Sequence, residues 1–162
     1  MRAWFVLLVC LLLLLSACSS NQGMDFSKMN QSEKIAWFKG ASLDEKRTEL
    51  TPQQYYVLVD QQMEASIIGS INYKNKNGTY YTAICDYPVF SSQDQFDGHS
   101  GWLDFEDVNY SSVQFREHPR TGEIQVLSIC GEYLGYVIDN DALDSNRQFV
   151  INSVALRFEK TT

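Results

Sequence analysis

The feature that most constrains this chain is a series of short apolar runs in its second half, each of strand length and separated by glycines or Asp-Asn clusters. The runs lie at residues 79–84, 111–115, 123–129, 134–138 and 147–158. Such runs, rich in β-branched and aromatic residues and bounded by turn residues, indicate strands. Because strands bury their apolar faces by packing one sheet on another, we expect a mainly β domain with antiparallel sheets.

One turn is predicted in detail. Asn77-Gly78 lies between the runs 67–73 and 79–84. This dipeptide tolerates the positive φ values of a tight turn, so it is a strong signal for a hairpin that joins the two runs.

The helices are expected on the N-terminal side only. Ser32 is predicted as the N-cap of a short amphipathic helix that ends near Gly40. Thr51 is predicted as the N-cap of another helix, with Pro52 at its first helical position. The buried side of this second helix is expected to carry Tyr55, Val57 and Leu58.

The first residues predict export. Arg2 precedes an uncharged apolar run, residues 3–15, that is shorter than the about 20 residues needed to cross a bilayer but matches the apolar region of a secretory signal. The following sequence, Leu-Ser-Ala-Cys at 15–18, resembles the lipobox of bacterial lipoproteins, which implies cleavage before Cys18 and a lipid on its thiol. We therefore expect a signal peptide at 1–17, a lipid anchor and flexible tether at 18–30, and a folded domain at 31–162. Ordinary signal cleavage with Cys18 as a free thiol is the alternative.

The residue after the lipidated cysteine and the net charge indicate where the domain resides. Ser19 resembles the pattern of lipoproteins sent to the outer membrane, so we expect the cell envelope, with the domain facing the periplasm if the host is Gram-negative. The net charge of −7 becomes −8 when Arg2 leaves with the signal peptide. An acidic domain is a poor partner for phosphate backbones and anionic lipid heads. We therefore exclude nucleic acid and expect membrane contact through the Cys18 lipid.

Two cysteines remain for the domain. Cys10 leaves with the signal peptide and Cys18 carries the lipid, so Cys85 and Cys130 are left in an oxidising compartment, where paired cysteines usually oxidise. Their bond would close a loop of about 45 residues and restrict the unfolded chain by about 4 kcal/mol. Two buried, unpaired thiols are the alternative.

Several segments in one order resemble the methionine-R-sulfoxide reductases of the MsrB type. They are LTPQQY at 50–55, the stretch 80–90, FDGHSGW at 96–102, RTGE at 120–123, CGEYLGYV at 130–137, and FVINS and ALRF within 149–158. The resemblance covers about residues 48–160. It implies the β-tent fold of that family, in which two packed antiparallel sheets follow short N-terminal helices.

The resemblance also indicates which catalytic parts are missing. The family reduces methionine sulfoxide through a low-pKa cysteine that attacks the sulfoxide sulfur, and Val150 stands at that position. The histidines that bind and protonate the sulfoxide oxygen correspond to Tyr133 and Tyr136, whose phenols are far weaker acids than imidazolium. The arginine two residues before the nucleophile corresponds to Gln148, or to Arg147 if an insertion shifts the register. We therefore predict no catalytic residue.

A ligand pocket is expected nonetheless. Trp102 corresponds to the residue that forms the methyl pocket in the family, and Asn152 to one that helps hold the ligand. The expected pocket is completed by four further aromatic side chains: Phe105, Tyr133, Tyr136 and Phe149. This lining would suit a small apolar or methionine-sulfoxide-like ligand. The alternative is that the rings simply pack a closed β core.

The zinc site of the family is altered too. That site uses two CxxC pairs, and the resemblance places Thr82 and Leu127 at the first cysteine of each pair. Two thiolates cannot complete a tetrahedral site, so we expect no metal and no other cofactor. Because the family geometry brings the two pairs together, the resemblance implies that a Cys85–Cys130 disulfide replaces the zinc.

The sequence thus predicts an exported lipoprotein whose MsrB-like domain is a non-catalytic binding or structural module. The alternative is a peptide-methionine (R)-S-oxide reductase that retains some activity. A hydrolytic site at Asp97, His99 and Ser100 is disfavoured, because neighbours along one loop do not have triad geometry. No pattern identifies a protein partner.

Overall fold

The structure, a computed structural model, describes residues 23–66 and 77–161. The predicted signal peptide and lipidated cysteine, and the 67–73 arm of the predicted hairpin, lie outside these residues. Within them, no helix has both the length and the apolar character that crossing a bilayer requires.

Three short helices lie on the N-terminal side of the described residues. They are α1 (Gln31–Gly40), α2 (Leu43–Glu49) and α3 (Pro52–Gln54), which continues as a π-helical turn at Tyr55–Val59. The prediction for α3 is confirmed, with Thr51 as N-cap and Pro52 at the first helical position. Its predicted apolar face is buried as well.

The predicted start of α1 is wrong by two residues. Asn30, and not Ser32, is the N-cap: its side chain accepts a hydrogen bond from the Glu33 N–H at 3.0 Å. The Glu33 carboxylate in turn accepts the Asn30 N–H at 2.8 Å. This reciprocal pair satisfies two N–H groups at the helix start, which a cap at Ser32 would leave without a partner.

Residues before position 31, the predicted start of the domain, also pack against the helices. A 3₁₀ turn at Phe26–Lys28 precedes α1. The ring of Phe26 lies 4.7 Å from the ring of Trp37, centre to centre. Residues 23–30 of the predicted tether therefore include a segment that is held against α1.

Two antiparallel sheets make up the rest of the described chain, as predicted. The strands are β1 (Gly78–Thr82), β2 (Pro88–Ser91), β3 (Gln95–Phe96), β4 (Leu103–Phe105), β5 (Val113–Glu117), β6 (Ile124–Ser128), β7 (Tyr133–Asp139), β8 (Arg147–Ile151) and β9 (Leu156–Lys160). The smaller sheet has the order β2-β1-β9 and the larger one β3-β4-β8-β7-β6-β5. The predicted run 147–158 is divided by a 3₁₀ turn at Ser153–Ala155 into β8 and β9, which belong to different sheets.

Strand β1 differs from the prediction in its partners. It pairs with β2 on one side and β9 on the other, so both partners come from later in the chain than the predicted hairpin assumed. Gly78 lies within β1, opposite Lys160. A Cβ atom on Gly78 would lie 2.2 Å from the Glu159 carbonyl oxygen. Glycine is needed here for close approach of two strands.

An aromatic core lies between the sheets. Tyr80 and Phe90 from the smaller sheet meet Phe105 from the larger one, with ring centres 5.1 Å and 4.3 Å from that of Phe105. All three side chains are buried, as is Phe149. Burial of each such ring contributes on the order of 1.5–3 kcal/mol. These contacts hold one face of the larger sheet against the smaller sheet. The other face of the larger sheet carries the candidate site.

Candidate functional site

A row of side chains crosses the larger sheet on the face opposite Phe105 and Phe149. Asp104, Val150, Tyr136, Gln125 and Arg116 occupy one register across β4, β8, β7, β6 and β5. Paired residues on neighbouring strands lie about 5 Å apart on the same face, so these side chains are neighbours. Val150 is completely buried in the middle of the row.

A segment from the N-terminal side, residues 61–66, lies against this part of the sheet; we call it the covering segment. The Arg116 guanidinium donates to the Gln61 side-chain oxygen at 2.6 Å. The Trp102 indole N–H donates to the Glu64 carbonyl oxygen at 3.0 Å. The covering segment is therefore held by β5 at one end and by the loop before β4 further along.

Glu64 is the most deeply held residue of the covering segment. Its backbone N–H donates to the Asn152 side-chain oxygen at 2.7 Å. Its buried carboxylate accepts the N–H groups of Ser153 and Val154. The turn between β8 and β9 and the covering segment thus satisfy each other's polar groups, as burial requires.

Met63 lies beside Glu64, with its sulfur facing two hydrogen-bond donors. The Tyr133 hydroxyl is 3.5 Å from Met63 Sδ, and Asn152 Nδ2 is 3.3 Å from the same atom. Asn152 is fully buried and Tyr133 almost fully. Burial, with smaller contributions from Glu123 and Tyr136, raises the pKa of Tyr133 well above its ordinary value. The phenol therefore stays protonated and acts as a donor.

Asp104 is at the centre of a buried polar group with neutral partners. It accepts hydrogen bonds from the Ser100 hydroxyl at 2.6 Å, the Gln148 amide at 2.9 Å and the Gly98 N–H at 3.1 Å. A Cβ atom on Gly98 would lie 2.2 Å from the Gln148 amide nitrogen. Glycine at this position lets the loop approach β8 closely.

A disulfide joins Cys85, in the turn after β1, to Cys130, in the turn between β6 and β7. The two sulfur atoms are 2.07 Å apart and the residues are 45 apart in sequence. The predicted pairing is confirmed, and the alternative of two unpaired thiols is not. The bond ties the smaller sheet to the larger one beside the core.

Glu132 is a buried carboxylate beside this disulfide. Its Oε1 accepts the N–H groups of Ile84 at 2.8 Å and Cys85 at 3.3 Å. Its Oε2 lies 3.2 Å from Cys130 Sγ. Burial raises the pKa of Glu132, and the hydrogen bonds it accepts oppose that rise only in part. Glu132 lies in the turn that carries Cys130 and hydrogen-bonds to the backbone of the turn that carries Cys85.

Comparison with known proteins identifies the family. Residues 50–160 match the SelR domain family. The chain belongs to this family. A peptide methionine sulfoxide reductase MsrB from Methanosarcina barkeri is 34% identical over 122 residues, which cover 73% of this chain and 86% of that protein. The methionine-R-sulfoxide reductase B3 of Mus musculus is 33% identical over 72% of this chain and 48% of its own length. The Escherichia coli MsrB is 29% identical over 72% and 88%. The predicted MsrB-type resemblance and fold are confirmed.

The residues predicted to line a pocket in this SelR domain divide into two groups. Trp102, Tyr133 and Asn152 are brought together, because all three hydrogen-bond to the covering segment. Phe105 and Phe149 are not part of that group. Successive side chains of a strand point to opposite faces, so the neighbours of Asp104 and Val150 face the core. These two rings were predicted in the pocket and belong to the aromatic core instead.

Tyr136 and the two candidates for the arginine position are also placed. Tyr136 is half-buried next to Val150, and burial, with Glu123 and Asp104 nearby, raises its pKa. Gln148 lies two residues before Val150 on the same face and binds Asp104. Arg147 points to the opposite face and donates to the Tyr110 hydroxyl at 3.4 Å. Of the two candidates, Gln148 is therefore the one that shares the face of Val150.

The loop histidine of this SelR domain does not form a catalytic arrangement with its neighbours. The His99 side chain is 88% exposed and contacts Asp97 at 3.2 Å. The Ser100 hydroxyl donates to Asp104 and not to His99. A serine whose proton is already held by a buried carboxylate, with no imidazole as base, is not an activated nucleophile.

The residues that the family resemblance places at zinc positions do not fit that metal. Donor atoms of Cys85, Cys130 and Glu132 lie within 4.8 Å of one another. However, the two sulfurs share a bond and carry no thiolate charge, and the Thr82 hydroxyl accepts the Tyr87 N–H at 3.1 Å. Leu127 offers no donor atom. A tetrahedral zinc site needs four ligands, with its cysteines as thiolates.

The sequence analysis missed Met63, Glu64 and Glu132. For Glu132 a signal was present: a charged residue directly before the apolar start of β7 has to be paired when the strand is buried. Met63 and Glu64 follow a helix in a polar stretch, and no local pattern marks them as partners of residues nearly 90 positions later.

Proposed function

We propose that this SelR domain is a non-catalytic member of its family, a binding or structural module held in the cell envelope by a lipid on Cys18. The observation that carries the proposal is Val150, which is buried between Asp104 and Tyr136 in the middle of the larger sheet. The family resemblance assigns the nucleophilic cysteine to this position. A valine side chain cannot attack a sulfoxide sulfur.

The other groups near Val150 support the same proposal. The raised pKa values of Tyr133 and Tyr136 make these phenols even weaker acids than usual, so neither can protonate a sulfoxide oxygen at neutral pH. Both cysteines of the described part of the chain share a disulfide. That disulfide, with Glu132, takes over the cross-bracing that zinc gives other members, so we propose no metal cofactor.

The ligand proposed for the module is small and apolar or resembles methionine sulfoxide. Trp102, Tyr133 and Asn152 offer an indole face, a phenol and an amide close to one another. Such a combination binds an apolar group and orients one acceptor atom.

The names of the relatives favour a second candidate, a peptide-methionine (R)-S-oxide reductase with residual activity. Those relatives are named as methionine sulfoxide reductases. Within residues 23–66 and 77–161, the thiols that could replace the missing nucleophile are those of Cys85 and Cys130 after reduction of their disulfide.

A turnover assay separates these two candidates. Purified mature protein is incubated with a peptide that contains methionine-R-sulfoxide and with dithiothreitol, and methionine is quantified by chromatography. We expect no turnover above the protein-free rate, because position 150 has no nucleophile. The Escherichia coli MsrB, under the same conditions, is the positive control.

The cysteine variants make that assay decisive, because dithiothreitol can open the disulfide. Turnover that disappears in Cys85→Ser or in Cys130→Ser would establish the reductase and overturn the non-catalytic proposal. Turnover that is unchanged in both variants would also overturn it, and would place the nucleophile elsewhere.

The anchor is proposed from the lipobox-like sequence. In a Gram-negative host the domain would face the periplasm from the outer membrane. Cys18→Ser is expected to move the protein from the membrane fraction to the soluble fraction, as measured by immunoblot, since the lipid is the proposed membrane contact. The matched control is Cys10→Ser, which changes a cysteine in the predicted signal peptide and should leave the protein in the membrane fraction. Equal fractionation of Cys18→Ser and wild type would contradict the anchor.

A further inference from the structure

The chain places one of its own methionines against two buried donors. Met63 Sδ faces the Tyr133 hydroxyl at 3.5 Å and the Asn152 side-chain amide at 3.3 Å. Asn152 is 0% exposed and Tyr133 is 2% exposed. Met63 itself is only partly buried.

Two buried donors are more than a thioether can use. A thioether sulfur is a weak acceptor, whereas a sulfoxide oxygen is a strong one and makes the side chain polar and chiral. In an apolar surrounding, oxidation of a methionine therefore destabilises the fold. Beside Tyr133 and Asn152 the added oxygen would find hydrogen bonds already in place.

The position of Met63 is fixed by its neighbour Glu64 and by Asn152. Glu64, the next residue, binds Asn152 through its N–H at 2.7 Å and Trp102 through its carbonyl oxygen at 3.0 Å. Asn152 thus holds the covering segment with its oxygen and faces the Met63 sulfur with its nitrogen. The second Nδ2 contact of Asn152, to the Leu134 carbonyl oxygen at 2.9 Å, fixes the orientation of that amide.

We propose that Met63 is a site of reversible oxidation, at which a peroxide converts the thioether to a sulfoxide whose oxygen is held by the Tyr133 hydroxyl and the Asn152 amide. In this step hydrogen peroxide transfers one oxygen atom to sulfur. The O–O bond breaks, an S–O bond forms and water leaves; the sulfur is oxidised by two electrons and the peroxide is reduced.

The persistence of this modification rests on the proposed function. A domain without a reductase nucleophile does not remove the oxygen from its own methionine, so the oxidised state remains until a separate reductase acts on it. The site would then record exposure of the protein to peroxide. In the oxidised protein, Tyr133 and Asn152 would thus hold the Met63 side chain of the same chain as their ligand.

The test oxidises the purified mature protein with hydrogen peroxide. Mass spectrometry of peptides then locates added oxygen, with Met24, which is 38% exposed, as the internal reference. We expect one oxygen on Met63 and a melting temperature within about 1 °C of that of the reduced protein. Oxidised Tyr133→Phe is expected to melt at least about 3 °C below its own reduced form, since one donor to the sulfoxide is missing.

Two further variants control the experiment. Tyr81→Phe removes a hydroxyl from β1 in the other sheet and should behave as wild type. Met63→Leu measures how far oxidation of the other methionines shifts the melting temperature. Met63 that stays unmodified while Met24 is oxidised would overturn the proposal. An equal loss of melting temperature in wild type and Tyr133→Phe would overturn it as well.

A final incubation with dithiothreitol separates this proposal from the proposed function. Sulfoxide that persists on Met63 agrees with both. Sulfoxide that returns to thioether in the purified protein alone would show that the domain is a reductase, which overturns the non-catalytic proposal and leaves the Met63 site established.

Discussion

Replacing Cys85 and Cys130 together by alanine is expected to lower the free energy of unfolding by about 4 kcal/mol. The disulfide spans 45 residues, and in the chain-entropy model a loop of that length restricts the unfolded state by this amount. A typical domain has a total stability of about 5–15 kcal/mol, so the loss is a large part of the whole. Urea unfolding of the purified protein, followed by tryptophan fluorescence, measures it.

The single variant Cys85→Ala is the matched control for this prediction. It also removes the bond, so its loss should be close to that of the double variant. Wild type unfolded in the presence of dithiothreitol should lose a similar amount, because the same constraint is released. A loss below about 1 kcal/mol in the double variant would contradict the role of the bond as a substitute for a metal cross-brace.

The strands could be predicted from the sequence because each signal is local. Runs such as 123–129 are of strand length and end at turn residues, and β6 was found within that run. The pairing could not be predicted in the same way. Asn77-Gly78 looked like a tight turn, yet Gly78 lies within β1, where glycine serves close strand approach. Glycine suits both a tight turn and a close approach of two strands. Only the contacts that Gly78 makes with residues later in the chain distinguish the two roles.

The helices show how neighbouring polar residues compete for one role. Asn30 and Ser32 are both good N-caps, and Glu33 decides between them because it can return a hydrogen bond to Asn30. The same signal, Ser42 followed by Glu45, begins α2, which the sequence analysis did not predict. Complete capping boxes were thus more informative than the single N-cap residue, Ser32, from which we placed the first helix.

The sequence predicted several residues of the candidate site, but it did not predict which face of the sheet each side chain occupies. Family motifs pointed to Trp102, Tyr133 and Asn152, which the fold does bring together. The predicted pocket also included Phe105 and Phe149, and strand alternation sends those rings to the core. Motif membership indicates closeness along the backbone, whereas the face depends on strand register, which the motif does not contain.

The Cys85–Cys130 disulfide and the Glu132 carboxylate both link the same two turns. A zinc cross-brace joins two turns through thiolates and holds their backbone groups in place. Here the covalent bond joins the turns, but the N–H groups of Ile84 and Cys85 still need an acceptor in the buried interior. Glu132 supplies it from the opposite turn.

Glu132→Ala is therefore expected to destabilise the protein by about 2–6 kcal/mol. The substitution leaves two buried N–H groups without a partner, and each costs about 1–3 kcal/mol. Calorimetry or urea unfolding of the oxidised protein measures the loss. The disulfide must be intact in the variant, which a thiol count on the unfolded protein verifies.

Glu132→Gln is the matched control, and it gives a pH dependence of known sign. Glutamine keeps an acceptor oxygen for the two N–H groups, so the loss of stability in Glu132→Gln should be smaller than that in Glu132→Ala.

Burial raises the folded-state pKa of Glu132 above its ordinary value of 4.5, so between these values the folded state binds more protons than the unfolded state. The stability that Glu132 contributes is then fully present below about pH 4.5 and declines as the pH rises through the folded-state pKa. The difference in unfolding free energy between wild type and Glu132→Gln should therefore move in favour of the variant from about pH 4 to about pH 8. A difference that does not change with pH would mean that this carboxylate is not desolvated in the folded protein.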